Sequence, residues 1–394
     1  MDKTSIFTPT PEHQSLRDTV RSFTETKIEP QATAYNKNEQ FNLPLFRELG
    51  SLGLLGISAP EAYGGSGFDA VATVIAHEEL SASDPAFCLS FLAHSMLCVN
   101  NIAVNASAEQ QQKFLPKLCS GEWIGAMGMS ETEAGTDVLG MKTTAVLDGD
   151  HYVLNGNKMW ITNGCIDEGS TLADVVVLYA RTNPVSESKA KISTFILTPD
   201  LAGFRVGQKI RDKLGMRASN TAELVLDNVR VPRQNLIGAE GESMKHMMRN
   251  LEIERVTLAA MSLGIARRCL DVMVSYAQTR KAFGKRIAEF GQIQQMVASS
   301  YAAYQAARAY VYNTALHLNL EKEGNRLDSD GVKLFATPMA KQVADCAIQV
   351  LGGNGYIGEY IVERLWRDAK LLEIGGGTIE AHQKNIMMDL IKRS

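Results

Sequence analysis

The 394-residue sequence predicts a mainly α protein with a β domain in its middle. Three observations carry that expectation: an amphipathic, helical first third, short β-branched segments beginning near residue 122, and helical periodicity from Gly241 onward. A chain this long exceeds one ordinary core and divides into two or three domains. The changes of period place them at 1–122, 123–238 and 239–394.

In the first domain HQSLRDTVRSFTETKIEP (13–30) is amphipathic and is expected to end at Pro30. LPLFRELGSLGLLG (43–56) follows, then the glycine-rich turn EAYGGSG (61–67), and Ser107 to Gln110 form a capping box ahead of a further helix. The middle domain reads as TTAVLDGDHYVLNG, ADVVVLYA, ISTFILT, GFRVGQKI and TAELVLDNVRVP, separated by turn residues. None of these alternates with a helix, so an antiparallel sheet or barrel is expected, not a parallel βαβ sheet. Residues 241–280 then run without proline, about 60 Å of helix at the standard rise. Further helical stretches at 290–322, 331–351, 358–371 and 379–392 predict a C-terminal four-helix bundle.

Hydrophobic content of 45% and charged content of 21% are those of a soluble globular protein. A net charge of −4 gives no electrostatic reason to expect nucleic acid. No apolar run approaches the roughly 20 residues that span a bilayer, so no membrane insertion is expected. The N-terminal MDKTSIFTPTPEH lacks a signal or transit pattern, which favours the cytoplasm of a bacterium, or the mitochondrial matrix for a processed eukaryotic form. Cys88, Cys98, Cys119, Cys165, Cys269 and Cys346 are scattered, as buried thiols in a reducing compartment would be, and no metal signature is present.

Gly353 to Gly358 matches G-x-G-x-x-G, but the helical AKQVADCAIQVL precedes it where the dinucleotide fingerprint requires a strand. An interhelical turn is expected there.

Five segments, GMSETEAGTDVLGMK (128–142), NKMWITNG (157–164), GMRASNTAELVLDNVRVP (215–232), TRKAFGK (279–285) and QVLGGNGYIGEYIVERLWRDAK (349–370), resemble those of the acyl-CoA dehydrogenases in order and spacing. The resemblance implies a homotetramer holding FAD, an acyl-CoA substrate, and electron transfer to an electron-transferring flavoprotein. For the cofactor it implies Ser130, Gly135 and Thr136, whose hydroxyls and backbone N–H groups suit a flavin and its phosphates. Main chain at Met127 and Met129 is implied on one side of the flavin ring, and Trp160 and Thr162 on the other. Taken alone, Trp160 reads more readily as an ordinary core aromatic, and the surrounding KMWITNG reverses that. Arg280 is implied as a pyrophosphate clamp, although an arginine at a helix end is also an ordinary cap. Phe283, Gln349, Gly352, Gly353, Thr378 and Glu380 complete the implied cofactor set. In relatives a glutamine follows the arginine by eleven residues. Here that position is Gly291, with Gln292 beside it.

The family's reaction removes the α-proton of an acyl thioester, which requires a carboxylate base. In straight-chain members the base is a glutamate just before a Gly-Thr pair, and at that position this chain has Gly376. An alternative lies in LEIERVTLAA (251–260). Apolar residues recur at Met247, Leu251, Leu258, Met261 and Ile265, and Glu254 falls in the gap of that stripe. A carboxylate there is costly unless paired or used, and desolvation raises its pKa towards the range of a general base. Glu254 is therefore either the catalytic base or one half of a buried ion pair. The resemblance favours the base, because members acting on isovaleryl-CoA, and also long-chain members, carry it on this helix. It implies Thr136, Glu252, Arg255, Gly376 and Gly377 for the substrate, with the Gly376 N–H polarising the thioester carbonyl. A short branched acyl-CoA, isovaleryl-CoA first, is expected to become the trans-2-enoyl thioester, its branch using the room left at Gly376. A citronellyl-like or long-chain substrate, or an oxygen-using flavoenzyme, is the alternative.

Overall fold

The computed structural model describes residues 5–187 and 189–393; Met1–Thr4, the start of the N-terminal segment, lie outside them, as do Ser188 and Ser394. The first helix, α1 (Pro11–Phe23), is N-capped by Thr10. It does not stop at Pro30 as expected. The chain passes through a π-turn at Thr24–Ile28 and continues as α2 (Glu29–Asn38). The wider turn places the proline in a first helical turn, where its missing N–H leaves no broken bond. After α3 (Leu43–Ser51) comes α4 (Ala70–Ser81), N-capped by Asp69 and buried on every side.

Next, α5 (Pro85–Leu92) runs through a π-segment at Ala93–Val99 into α6 (Asn100–Asn105). By length and composition this 21-residue rod could cross a membrane, contrary to the expectation that no such run exists. It is almost wholly buried inside the protein, and a helix apolar all round is what a core helix requires. The predicted capping box opens α7 (Ala108–Ser120), with Ser107 and Gln110 bonding each other's backbone N–H.

The middle domain holds β1 (Gly125–Gly128), β2 (Thr144–Asp148), β3 (His151–Thr162), β4 (Val175–Arg181), β5 (Ile192–Leu197), β6 (Phe204–Lys209), β7 (Thr221–Pro232) and β8 (Leu236–Ile237). They form one sheet in the order β6-β7-β3-β2-β4-β5-β8, with β1 added beside β4. Most pairs are antiparallel as expected, but β1 lies parallel to β4, and β2 meets β4 in parallel at Thr144 and Arg181. The sheet is therefore mixed. The connection from β1 to β4 contains the β2–β3 hairpin instead of a helix, so the sequence gives no alternating period from which to read a parallel pair.

Five longer helices and one short one complete the chain: α8 (Met244–Thr279), α9 (Gly291–His317), α10 (Arg326–Leu351), α11 (Gly353–Tyr356), α12 (Val362–Leu372) and α13 (Ile379–Arg393). A small hairpin, β9 (Lys281–Ala282) and β10 (Lys285–Arg286), joins α8 to α9. The G-x-G-x-x-G segment lies between α10 and α12 with no strand before it, an interhelical turn as read. The helix α10 packs along α8, α9, α12 and α13, and α4 packs on α8, so the two helical domains share one apolar core.

A buried ionic knot ties those domains together. Glu78 and Glu79 of α4 are inaccessible to solvent. Arg267 of α8 bonds both oxygens of Glu79 at 2.7 and 2.9 Å, and Arg21 of α1 adds bonds at 3.1 Å. Arg17 reaches Glu78 at 3.1 Å, as does Arg308 of α9 at 3.3 Å. Burial acts to raise the Glu79 pKa, but Arg267, Arg21 and Arg17 outweigh it and hold it at about 2. A depressed carboxylate contributes stability above its unfolded pKa and loses it as pH falls through the folded value. Acid unfolding should therefore steepen between about pH 4.5 and 2. Glu79→Gln is expected to flatten that dependence and, by leaving arginines uncompensated, to cost about 3–5 kcal/mol at neutral pH in chemical denaturation.

Candidate functional site

The site begins where α8 passes under the loop between α12 and α13. Gly376 in that loop has φ +65°, a left-handed conformation that favours glycine. A Cβ at Gly376 would lie 2.7 Å from Leu258 Cδ1 and 3.3 Å from the carboxyl carbon of Glu254. The glutamate on α8 thus brings its carboxylate to the space a side chain at 376 would enter. This corrects one expectation: the room at Gly376 is filled by Glu254 and Leu258, not left open for a branch of the substrate.

Glu254 is half-buried. Burial raises its pKa, and the positive charges of Lys333 and Arg255 partly offset that rise. Arg255 Nε donates to Gly376 O at 3.4 Å, and its guanidinium lies 3.0 Å from Asp330. Gly377 O is held as well, at 2.7 Å from Lys333 Nζ. Both loop carbonyls are thus engaged on the protein side, whereas the N–H groups of Gly376 and Gly377 have no partner among the described residues.

Glu252, two residues before Glu254, points elsewhere, accepting from the N–H groups of Gly324 (3.1 Å) and Asn325 (2.8 Å) at the start of α10. Thr378 caps α13 by accepting from Ala381 N at 3.3 Å, and Glu380 is exposed on its first turn.

A second group lies on the β domain. Between Lys158 and Ile161 a bulge in β3 sets Met159 and Trp160 against a single residue of β7. Trp160 takes φ +60°, costly for a bulky side chain, and its ring is 53% exposed. The bulge is fixed from below. Lys158, fully buried, donates to Met129 O at 3.0 Å and to Glu131 at 2.8 Å, and Met159 N bonds Ser130 O at 2.9 Å. Burial lowers the Lys158 pKa to about 8 against the pull of Glu131. Met127 on β1, Met129 and Ser130 are thereby set beside Trp160 and Thr162, while Gly135 and Thr136 lie in the exposed loop that follows. The hydroxyls of Ser130, Thr136 and Thr162 have no partner among the described residues.

A third group forms a surface groove of about 540 Å³ lined by Arg280, Phe283, Gln292, Gly352 and Gly353. In the β9–β10 hairpin Phe283 and Gly284 both take positive φ, +51° and +80°, which leaves the Phe283 ring 97% exposed. Gln292 lines the groove and Gly291 does not. Gln349 is exposed on the last turn of α10, outside the lining.

These features fit a flavin dinucleotide. Exposed ring faces at Trp160 and Phe283 are held by strained backbone, hydroxyls stand free, and at Gly135, Gly352 and Gly353 an added Cβ would meet nothing, so the main chain is open to a ligand. Lys158, Glu131, Lys333, Asp330 and His382 were not singled out from the sequence. Two of them had a signal: the period of two puts Lys158 on the inward face with Tyr152 and Leu154, and helical spacing puts Lys333 in line with Ala336 and Ala340.

Comparison with known proteins agrees along the chain. Residues 10–122 match the acyl-CoA dehydrogenase N-terminal domain, 126–229 the middle domain and 241–391 the C-terminal domain. The mitochondrial isovaleryl-CoA dehydrogenase of Arabidopsis thaliana is 44% identical over 379 residues, 96% of this chain and 90% of that protein. The solved butyryl-CoA dehydrogenase of Megasphaera elsdenii superposes with TM-score 0.91 at 36% identity, covering 97% and 98% of the two chains. A chain in a structure described as the electron transferring flavoprotein of Acidaminococcus fermentans gives 0.92 at 36% identity over 99% of each.

Gly376→Ala forces an L side chain into a left-handed conformation and against Leu258 and Glu254. It should lower the unfolding free energy by about 1–3 kcal/mol in denaturant titration, whereas Gly291→Ala, where a Cβ meets nothing, should not destabilise.

Proposed function

The chain belongs to the acyl-CoA dehydrogenase family of flavin-dependent oxidoreductases, and from that membership we propose that it oxidises a short branched acyl-CoA, isovaleryl-CoA first, with Glu254 as the base. The observation that carries this reading is the 3.3 Å between the Glu254 carboxyl carbon and the Cβ position of Gly376. The base is supplied from α8 to the place that a side chain on the loop would otherwise occupy. The 44% identity to an isovaleryl-CoA dehydrogenase supports the branched substrate.

The thioester carbonyl is received by the free N–H of Gly376, on a loop whose next two carbonyls, those of Gly376 and Gly377, are held by Arg255 and Lys333. As the α-proton leaves, charge develops on that carbonyl oxygen, and a preorganised backbone donor stabilises it by about 2.7–4 kcal/mol in comparable sites. Glu254 takes the α-proton. Its raised pKa makes it the stronger base, while Arg255 and Lys333 keep it ionised. FAD, held by the Trp160 face together with Ser130, Thr136 and Thr162, and by the Arg280–Phe283 groove, supplies the acceptor for the β-hydrogen and its electron pair. The product is the trans-2-enoyl thioester, and the electrons pass to an electron-transferring flavoprotein from a homotetramer.

Glu254→Gln should lower turnover by about 10²–10⁴ or more with flavin retained. Near-normal turnover would refute the role and direct the search to Glu373 or Glu380. Anaerobic flavin bleaching across straight and branched acyl-CoA esters should be fastest with isovaleryl-CoA; a faster straight-chain ester overturns the substrate. Rapid turnover on oxygen alone, without an electron-transferring flavoprotein, would reassign the protein as an oxidase or monooxygenase.

A further inference from the structure

Behind the glycine loop lies a group of ionisable side chains that the reaction above does not use directly. Asp330 and Lys333 on α10 and His382 on α13 are all shut off from solvent. His382 Nδ1 lies 2.7 Å from Asp330 Oδ1, and its Nε2 lies 3.0 Å from Gly377 O and 3.1 Å from Lys333 Nζ. Lys333 also donates to Gly377 O, and Arg255 joins the group through Asp330 and Gly376 O. A continuous polar chain thus runs from α13 through α10 to α8 and grips both carbonyls of the loop that touches Glu254.

The proton positions follow from the neighbours. Burial lowers the pKa of His382, and Lys333, also lowered, remains at about 8. Near neutral pH the lysine therefore carries the proton and its ammonium lies between His382 Nε2 and Gly377 O, donating to both, while the neutral imidazole donates from Nδ1 to Asp330. Two anions, Glu254 and Asp330, then face two cations, Arg255 and Lys333. The remaining charged or titratable groups around them are Glu252 on α8, Arg326 on α10, Glu373 just after α12 and Tyr179 on β4.

We propose that Asp330, Lys333 and His382 are positioning residues for the dehydrogenation: with Arg255 they hold the Gly376 and Gly377 carbonyls, which fixes the peptide planes carrying the Gly377 and Thr378 N–H groups and so the path of the loop beside Glu254, and the charges of Asp330 and Lys333 set the protonation of Glu254. The proposal rests on Glu254 being the base. A structural brace would tolerate any substitution that preserves packing. This arrangement instead requires that opposite charge changes move the base in opposite directions.

Two variants make that test in flavin-loaded protein. Lys333→Met removes a cation beside Glu254, so the acid limb of kcat/KM should move up by roughly one pH unit, costing roughly tenfold at pH 6 relative to pH 8.5. Asp330→Asn removes an anion and should move the limb down. His382→Gln keeps a donor and an acceptor and should leave the profile near wild type. Independently of activity, deuterium exchange at the His382 ring C2 position, read by mass spectrometry, should report a raised imidazole pKa in Lys333→Met and a lowered one in Asp330→Asn. If one variant does not fold, the sign of the other still decides. Limbs unmoved, or moved the same way, or a His382 pKa indifferent to both changes, would overturn the proposal. A wild type that bleaches no flavin with any acyl thioester would sink the dehydrogenase reading and this proposal together; active wild type with unshifted variants would sink this proposal alone.

Discussion

The site depends on one shared volume, the space beside Gly376 that Glu254 enters from α8. A general base in a packed seam faces two opposed demands. It must lose enough water for its basicity to rise, and it must still ionise near neutral pH. For Glu254, the base we propose, burial under the loop meets the first demand, and Arg255 and Lys333 meet the second. Neither works if the loop carries a side chain at that point, because Leu258 and the glutamate already occupy its place. The glycine is thus fixed twice, by its positive φ and by its neighbour. The 36-residue helix α8 matters for the same reason: it is a rigid rod, and its register decides where the carboxylate stands.

The parts proposed to face the cofactor are governed by strain, not by burial. Trp160 and Phe283 adopt left-handed backbone that their side chains disfavour, at about 1–3 kcal/mol each. In return each ring is turned outward from its own domain. Such conformations persist only where the surroundings enforce them. At Trp160 the enforcement is the Lys158–Glu131 pair gripping the main chain at 129–131, and at Phe283 it is the two-residue turn of the β9–β10 hairpin. Rings held outward at such cost have a purpose when a planar ligand covers them, which is how the fold's least stable local choices meet its chemistry.

Much of this was legible in the sequence because it depends on period. The long C-terminal helices, the short β-branched strands and the capping box at Ser107 each declare themselves locally. Glu254 was legible as an interruption of an apolar stripe, and Gly376 as a missing carboxylate. What stayed hidden is non-local. The parallel pairing of β1 with β4 joins segments separated by a hairpin, and no local signal reports it. The helix past Pro30 needed a π-turn, which changes the period just before the proline that a regular helix would end at. Pro85–Asn105 passed unnoticed as a possible span because its polar residues, such as Asn100 and Asn101, interrupt the apolar run, while in the fold they bond other buried groups. Asp330 and His382 are 52 positions apart, and only the packing of α10 against α13 makes them partners.

A seam between α8, α10 and α13 held only for stability would be served as well by apolar side chains, since desolvating paired charges usually cancels their attraction. The adjacent positions follow that rule, with Leu258, Val332 and Ala336 all buried and apolar. Fully buried charge appears in the layer that meets the glycine loop. With Glu254 as the proposed base, the balance of charge there would change during turnover, because a proton taken by Glu254 cancels an anion and leaves Arg255 and Lys333 in excess. That excess positive charge would lower the affinity of Glu254 for the proton it has just received. Lys333 and His382 are shut off from solvent, so the buried cluster would act on the base through its charge and not as a path for the proton.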